Sequence, residues 1–322
     1  MNSKISIIIL NWNGLKDTLE CLESVKKIDY PDFEVIVVDN GSTDGSAQFI
    51  RQRFPDVRFI QNSENLGYAE GNNVGIRYAL GHGAEFVLVL NNDTIVDKNI
   101  LLAFVKGAAD YPDAGVFGAK IYNFDDPNRI WHAGGILDQK TAEMYQNGFG
   151  VLDDGTFYIT AVEIDYACGC SLFFRREVAE KIGLFDPDFF LYYEDTDLCF
   201  RARRAGFKVM YIPAAKLWHK VSASFRPTPS PSSYYYLTRN RLLFARRNFP
   251  WYKRAPFYTA VVKDFFSVLG AKKFSLPKRI YWVFYEFTKP TGKAKLLGIR
   301  DCFLNRLGNG QATLNKLKTG KS

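Results

Sequence analysis

No Cys-x-x-Cys pair occurs in this sequence, and its five cysteines, at positions 21, 168, 170, 199 and 302, are an odd number. In a chain of 322 residues that pattern argues against a disulfide framework, and the thiols read as small apolar residues. No Gly-x-Gly-x-x-Gly follows the first strand-like run, which argues against a dinucleotide oxidoreductase. No leader-like stretch opens the chain: Lys4 passes at once into the apolar run Ile5–Leu10, so the expected compartment is the cytoplasm. The apolar runs of the C-terminal part fall short of the ~20 residues that cross a bilayer. What is present is a globular composition, 47% hydrophobic and 16% aromatic, which excludes a mainly disordered chain. The net charge of +8 is uneven, with Lys and Arg dominating only beyond about residue 200. A basic tail points to an anionic partner, whether nucleic acid, phospholipid headgroups or a diphosphate.

Through the first half, apolar runs alternate with amphipathic segments. Ile5–Leu10, Phe33–Val38, Val57–Gln61 and Glu85–Leu90 read as strands, Leu15, Leu19, Leu22 and Val25 share a helical face, and helices are expected over 46–54 and 69–80. That alternation predicts an α/β fold with a doubly wound, mostly parallel sheet. Further on, Val116–Tyr122, Ile159–Tyr166, Ser171–Phe174 and Phe207–Ile212 read as strands and Asp195–Ala205 as a helix. Pro227, Pro229 and Pro231 mark a linker into a helical, basic-aromatic C-terminal extension. There Phe257, Tyr258, Val261, Val262, Phe265, Val268 and Leu269 form one helical face opposite Lys263 and Asp264. That face suits an anionic bilayer surface or, equally, the packing of an ordinary core helix.

Ligands of a doubly wound sheet collect outside the carboxyl ends of its strands. The four strands run into Asn11-Trp12-Asn13, Asp39-Asn40, Asn62 and Asn91-Asn92-Asp93, which puts polar oxygen-bearing side chains on one rim. Asp39, followed by Gly41 to Gly45, can accept from a base N–H or a ribose hydroxyl, while Asp44 reads as a cap of the next helix. Asn65-Leu66-Gly67 through Gly71-Asn72-Asn73 opens a helix, where free N–H groups suit phosphate oxygens. A hard cation bridging phosphates needs few protein ligands, and Asp93 is the acid of its triplet; an Asx turn is the competing reading. Glu194-Asp195-Thr196-Asp197 follows two tyrosines and opens a helix, so a general base and a helix-start acid are both open readings. His219 is a possible metal ligand or a structural histidine, and His132 reads as structural.

Taken in order, these segments resemble the inverting family-2 glycosyltransferases of the glycosyltransferase-A fold, in appearance the bacterial rhamnosyltransferase-like subgroup of cell-surface polysaccharide assembly. The pieces are Ile8 to Gly14, Val38 to Gly45, Asn65 to Asn73, Asn91-Asn92-Asp93, Gly169-Cys170-Ser171, Glu194 to Leu198 and His219, and the likeness spans about residues 4–245. The resemblance implies a catalytic domain over 1–225, with a nucleotide-binding half 1–115 and an acceptor half 116–225, and a membrane-associating region over 226–322. It implies Asp195 as the base that deprotonates the acceptor, and Asp93 and His219 as ligands of Mn2+ or Mg2+ at a DXD-like motif whose first acid is here Asn91. Asn11, Asn13, Asp39, Asn65, Gly71, Asn72, Asn92 and Glu194 are expected to line the nucleotide-sugar site. The expected partners are a nucleoside diphosphate sugar, with dTDP-rhamnose first, and a lipid-linked or oligosaccharide acceptor, met at the inner face of the cell membrane.

Three other readings are weighed. A nucleotidyltransferase making activated sugars would carry a Gly-rich basic loop after the first strand, whereas Asn11 to Leu15 holds one glycine and no base. A non-catalytic nucleotide- or glycan-binding protein is disfavoured by the joint presence of Asp39, Asp93, Asp195 and His219. A nucleic-acid binder lacks a recognition motif beside its basic excess.

Overall fold

The computed structural model describes residues 3–156, 158–220, 230–266, 278 and 284–319. They fall into two compact units, one formed by the described residues of Met1–Leu137, Met144–Pro187 and Glu194–Ser222, the other by those of Asp138–Glu143, Asp188–Tyr193 and Ala223–Ser322.

The first unit opens with β1 (Ile5–Asn11), α1 (Leu15–Val25), β2 (Phe33–Asp39), α2 (Ser46–Arg53), β3 (Arg58–Gln61), α3 (Gly67–Gly81) and β4 (Phe86–Asn91), the alternation expected. It continues with β5 (Thr94–Val96), α4 (Ile100–Asp110), β6 (Ala114–Asn123), β7 (Ile130–His132), β8 (Gly135–Leu137), β9 (Met144–Gln146) and β10 (Val162–Glu163). It closes with β11 (Ser171–Arg175), α5 (Arg176–Ile182), α6 (Glu194–Arg204) and β12 (Lys208–His219). The main sheet runs β10-β12-β6-β11-β4-β1-β2-β3, with β5 on β12 and β7 on β6. β3, β2, β1 and β4 are mutually parallel, β11 is antiparallel to both of its neighbours, and β12 is parallel to β6.

Alternation at period two explains why both faces are covered. Ile5, Ile7 and Ile9 join one core with Cys21, Leu22 and Val25 of α1, whereas Ile8, Val87 and Val89 join the other with Ala69, Ile76 and Ala79 of α3. α3 lies unusually close to the sheet. A Cβ on Gly71 would stand 2.7 Å from a Leu10 methyl, and one on Gly75 2.6 Å from Ile8 and 3.0 Å from Val38. The two glycines, one turn apart, therefore admit the Leu10, Ile8 and Val38 side chains of β1 and β2.

Two sequence expectations are revised. The strand expected over Ile159–Tyr166 shrinks to Val162–Glu163, an edge pair on β12 with Ile159 exposed. The strand expected to stop at Ile212 runs on to His219. Pro213, which lacks an N–H for the ladder, sits where the β12–β6 register shifts between Ile212 and Lys216, and pairing then resumes.

In the second unit, α7 (Pro231–Asn248), a 3-10 turn at Trp251–Lys253, α8 (Ala255–Phe266), α9 (Pro290–Phe303) and α10 (Gln311–Thr319) follow. Pro227 and Pro229 lie outside the described residues, and Pro231 opens α7 rather than extending a linker, with Ser230 accepting from the Ser233 amide as its cap. Tyr235, Tyr236, Ala294 and Leu314 form its core. Of the amphipathic face expected on α8, Phe257 and Val261 are buried, Tyr258 is half-buried and Val262 is exposed; Val268 and Leu269 lie outside the described residues. Among the described residues no helix is long and apolar enough to cross a membrane.

Candidate active site

The parallel strands β1, β2 and β4 end level, with Asn11 opposite Asp39 and Leu10 opposite Asn91. Their exits are tied by one chain of hydrogen bonds. Asn92 Nδ2 donates to Thr18 Oγ1 (2.8 Å), and Thr18 Oγ1 donates to Asn11 Oδ1 (2.8 Å). Asn11 Nδ2 in turn faces Asp39 Oδ1 (2.7 Å), Ser46 Oγ (2.9 Å) and Ser42 Oγ (3.1 Å). The other Asp39 oxygen accepts from the Ser42 amide (3.1 Å). Asn11 and Asp39 are wholly buried. The Gly41–Gly45 turn is shaped by Gly41, at φ 74°, whose Cβ position would lie 2.8 Å from the Glu64 backbone.

Asn13, itself left-handed at φ 50°, clamps the turn from outside. Its amide donates to Ser42 Oγ (2.9 Å) and its Oδ1 accepts from the Thr43 amide (2.8 Å). Asp44 accepts from the Ser46 amide (3.1 Å) at the start of α2 and from Leu15 (3.3 Å) at the start of α1, the helix-end role expected of it. Asn40 bridges to Asn65 Oδ1 (2.9 Å) and the Gly67 carbonyl (3.0 Å), which fixes the start of α3. Asn72 is buried, donates to the Tyr68 carbonyl (2.9 Å), and leaves Oδ1 without a hydrogen-bond partner. Gly71 faces the sheet, so its missing side chain serves packing against Leu10. Asn11, Asn13, Asp39, Asn65 and Asn92 are thus gathered at the strand exits, while Gly71 and Asn72 sit on the buried side of α3.

Asp93 and His219 meet through strand pairing. β5 lies antiparallel to β12 with Thr94 opposite His219, and the Lys220 amide donates to the Asp93 carbonyl (2.9 Å). Asp93 Oδ1 then stands 3.1 Å from His219 Nε2, both side chains nearly covered. Adjacent ligands of an octahedral cation at about 2.1 Å are about 3.0 Å apart, so this spacing fits two protein ligands of one ion. His219 Nδ1 is buried without a hydrogen-bond partner, and Trp131 meets the ring edge-on at 4.7 Å. Among the described residues no group of three or more His, Cys, Asp or Glu is placed to hold a metal ion. Lys220 pins the strand end to α1 through Asp17 (2.8 Å) and Glu20 (2.5 Å).

Asp195 is reached from the same rim. The Asn91 amide donates to the Cys170 carbonyl (3.0 Å), and the neighbouring Gly169 amide donates to Asp195 Oδ2 (2.8 Å). Tyr68 Oη donates to the Gly169 carbonyl (2.5 Å), and the Thr196 amide donates to Asp195 Oδ1 (2.6 Å). Burial pushes the Asp195 carboxyl above the ordinary aspartate range despite these bonds. Burial and then the Asp195 charge push Glu194 well up, and its Oε2 has no hydrogen-bond partner. Asp197 is structural: it pairs with Arg201 at 2.6 Å one turn along α6. His132 is buried between the Trp131 and Tyr166 rings, and burial lowers its pKa to about 3, so it is neutral as expected of a core residue.

Four residues of the site were not among those expected from the sequence. Tyr68 and Gly169 orient Asp195, and their signal lay in the Gly-Tyr and Gly-Cys-Ser segments already singled out. Trp131 gave no sequence signal. Trp12 is 55% exposed at the β1 exit, where a large aromatic is an unexpected residue.

Comparison with known proteins points the same way. A family model described as glycosyl transferase family 2 matches residues 6–183. The low-salt glycan biosynthesis hexosyltransferase Agl10 of Haloferax volcanii is 28% identical over 254 residues, 76% of each chain. The N-acetylglucosaminyl-diphospho-decaprenol L-rhamnosyltransferase of Mycobacterium tuberculosis is 27% identical over 241 residues, 69% of this chain and 77% of its own. Among solved structures, the mannosyltransferase PcManGT from Pyrobaculum calidifontis, in complex with GDP-Man and Mn2+, superposes with a TM-score of 0.58 at 17% identity, over 95% of this chain and 88% of its own. That likeness is one of fold, the glycosyltransferase-A arrangement of a mostly parallel mixed sheet between helices.

Replacing Asn11 by Ala strands the buried Asp39 oxygen, while the Thr18 hydroxyl keeps the Gly14 carbonyl as an acceptor. Unfolding in urea is expected to show a loss of about 2–4 kcal/mol with an unchanged slope. A loss below about 1 kcal/mol would mean that the strand exits do not depend on this amide.

Proposed function

The chain belongs to glycosyl transferase family 2 and is a glycosyltransferase, and we propose that it transfers rhamnose from dTDP-rhamnose, with inversion, to a lipid-linked or oligosaccharide acceptor in cell-surface polysaccharide synthesis. The observation that carries this reading is the Asp93–His219 contact at the β4 exit, one strand from the segment that binds Asp195. The rhamnosyl relative, named for a diphospho-decaprenol acceptor, supports both the sugar and a lipid carrier.

Residues 1–115 hold the donor and 116–225 present the acceptor. Asn11 and Asp39 set the turn from Gly41 to Gly45 around the nucleotide, with Asn13, Asn65 and Asn92 at its rim. Burial holds the Glu194 carboxyl well above the ordinary glutamate range, which favours the protonated form as a donor to a sugar hydroxyl. Asp93 and His219 are the residues that would hold Mn2+ or Mg2+; such an ion supplies positive charge against the departing diphosphate. Asp195 removes the acceptor proton. Its raised pKa makes it a stronger base than an exposed aspartate, and the amides of Gly169 and Thr196 fix its orientation. A single displacement on the sugar, opposite the leaving diphosphate, inverts the anomeric centre.

Membrane contact fits the second unit's exposed aromatics better than the α8 face. Trp251 and Tyr252 are 80% and 65% exposed beside Lys253.

Five outcomes test the reading. With dTDP-rhamnose, UDP-galactose, UDP-glucose and UDP-N-acetylglucosamine, each with Mn2+ or Mg2+, mass spectrometry should detect turnover of dTDP-rhamnose. Asp195→Asn should lower it by at least ~10³-fold with donor affinity retained. The wild-type rate should fall with acid, as protonation removes the base, at a pH above the ordinary aspartate range. A fully active Asp195→Asn enzyme refutes the assignment. Asp93→Ala and His219→Ala should each weaken Mn2+-dependent donor binding by at least ~10-fold in calorimetry and leave metal-free binding unchanged; unaltered affinity removes both from the metal site. In flotation with phosphatidylglycerol vesicles, Trp251→Ser/Tyr252→Ser should bind several-fold less than the parent, and equal binding excludes this surface as the anchor.

A further inference from the structure

We propose that Trp131 is a positioning residue of the cation site: its indole holds the plane of the His219 imidazole, and the buried Lys120–Asp153 pair holds the strand that presents it. The inference rests on the reading of Asp93 and His219 as cation ligands.

A metal-bound histidine usually donates its second ring N–H to a carboxylate or carbonyl, which fixes the ring for its ligand atom. Among the described residues no protein acceptor takes that bond from His219 Nδ1, although the ring is buried. The torsion that turns an imidazole is shallow, so its plane is held by what surrounds it. Trp131, itself buried, does this by contact: the ring centroids are 4.7 Å apart and the planes cross at 75°. In that edge-to-face arrangement aromatic rings attract, and turning the imidazole would break it.

A strand irregularity aims the indole. β7 pairs with β6 through Ile121 opposite His132 but Tyr122 opposite Ile130, so Trp131 is the additional residue of a bulge. Trp131 accordingly joins the core of Ile121 and Leu217 on one face of β6, while Ile130 joins that of Tyr122 on the other. β12 pairs with the opposite edge of β6, with His219 across from Asn123. The indole therefore meets the imidazole across the width of β6.

On its far side β7 is bound by residues 147–151. The Ile130 amide donates to the Val151 carbonyl (2.8 Å), the Gly150 amide to the Ile130 carbonyl (2.9 Å), and the Ala133 amide to the Asn147 carbonyl (2.9 Å). Two residues beyond Val151, one Asp153 oxygen accepts from Lys120 Nζ (2.7 Å) and the Tyr122 hydroxyl (2.6 Å), both on β6. The ion pair is nearly covered. Such a pair adds little net stability, yet a shifted register would leave one charge buried alone. It thus fixes this segment, and β7 with it, against β6. Every residue of the series lies within the first unit.

The test measures Mn2+ binding by electron paramagnetic resonance in the full chain, with dTDP and in parallel with UDP. Trp131→Leu should weaken it by about 10-fold and Trp131→Phe, which keeps a ring, by about threefold, with metal-free nucleotide affinity unchanged. Asp153→Asn, which leaves both rings in place, should fall between wild type and Trp131→Leu. In metal-free protein labelled with 15N, the His219 imidazole signals should move in Trp131→Leu; the His219→Ala spectrum tells them from those of His82 and His132. A loss of packing alone would lower the unfolding midpoint and leave Mn2+ affinity at the wild-type value. Wild-type Mn2+ affinity in both Trp131 variants, beside an impaired His219→Ala, overturns the inference, as do unmoved His219 signals. Wild-type affinity in Asp153→Asn overturns the role of the ion pair. Should Trp131→Leu not fold, Trp131→Phe decides alone by the same two readouts. A His219→Ala protein that binds Mn2+ like the wild type would instead remove the cation reading itself.

Discussion

The contact between Asp93 and His219 is the constraint on which the site depends, and it exists because of a strand register. β5 has three residues, too few to hold a position by themselves, yet their antiparallel pairing with the end of β12 puts Thr94 opposite His219 and so brings Asp93 to the imidazole. The main-chain bond from Lys220 to Asp93, with the Lys220 ammonium on Asp17 and Glu20, locks the same register from the other side. A one-residue slip of β12 would turn His219 to the opposite face and leave Asp93 alone. The bulge at Pro213 therefore has a consequence far from the proline, because it sets which residue of β12 faces the β4 exit.

Around that contact the fold does what doubly wound sheets do, with a particular division of labour. The central strands bury both faces, and their carboxyl ends carry the polar residues that cannot be buried without partners. The amides found those partners in one another: Asn92, Thr18, Asn11 and Asp39 form an unbroken series, and Asn40 and Asn65 a second. These asparagines hold the rim in shape. At this rim the His219 ring and Glu194 keep hydrogen-bonding capacity that is not used up, and the Asp195 carboxylate is gripped by main-chain amides.

Much of this was legible in the sequence. Period-two and helical patterns placed β1 to β4 and α1 to α3 closely, because each is long enough to bury a regular face. The rim residues were visible as acids and amides at strand exits. The remainder was hidden for physical reasons. Pro213 reads as a strand stop, although a register shift absorbs it. β5 is too short to show a period. Asp39 reads as an acceptor at a strand exit, but its burial and its bonds to Asn11 and the Ser42 amide depend on neighbours distant in sequence. Gly71 reads as part of a helix start suited to phosphate oxygens, and its close approach to Leu10 is a packing feature the pattern does not show. The basic C-terminal part reads as a surface element. Arg239 and Arg241 are nevertheless buried, because main-chain oxygens around Arg239, and Glu143 and Asp264 beside Arg241, satisfy their donors.

The central claim is that strand pairing builds a two-ligand cation site at the β4 exit for the diphosphate of a sugar nucleotide. Anomalous scattering from crystals grown with Mn2+ and dTDP tests it most directly. The account predicts a Mn2+ peak within bonding distance of both an Asp93 oxygen and His219 Nε2, its remaining ligands coming from phosphate and water. A Mn2+ ion bound instead by other acids, with Asp93 and His219 still facing each other and metal-free, would contradict it.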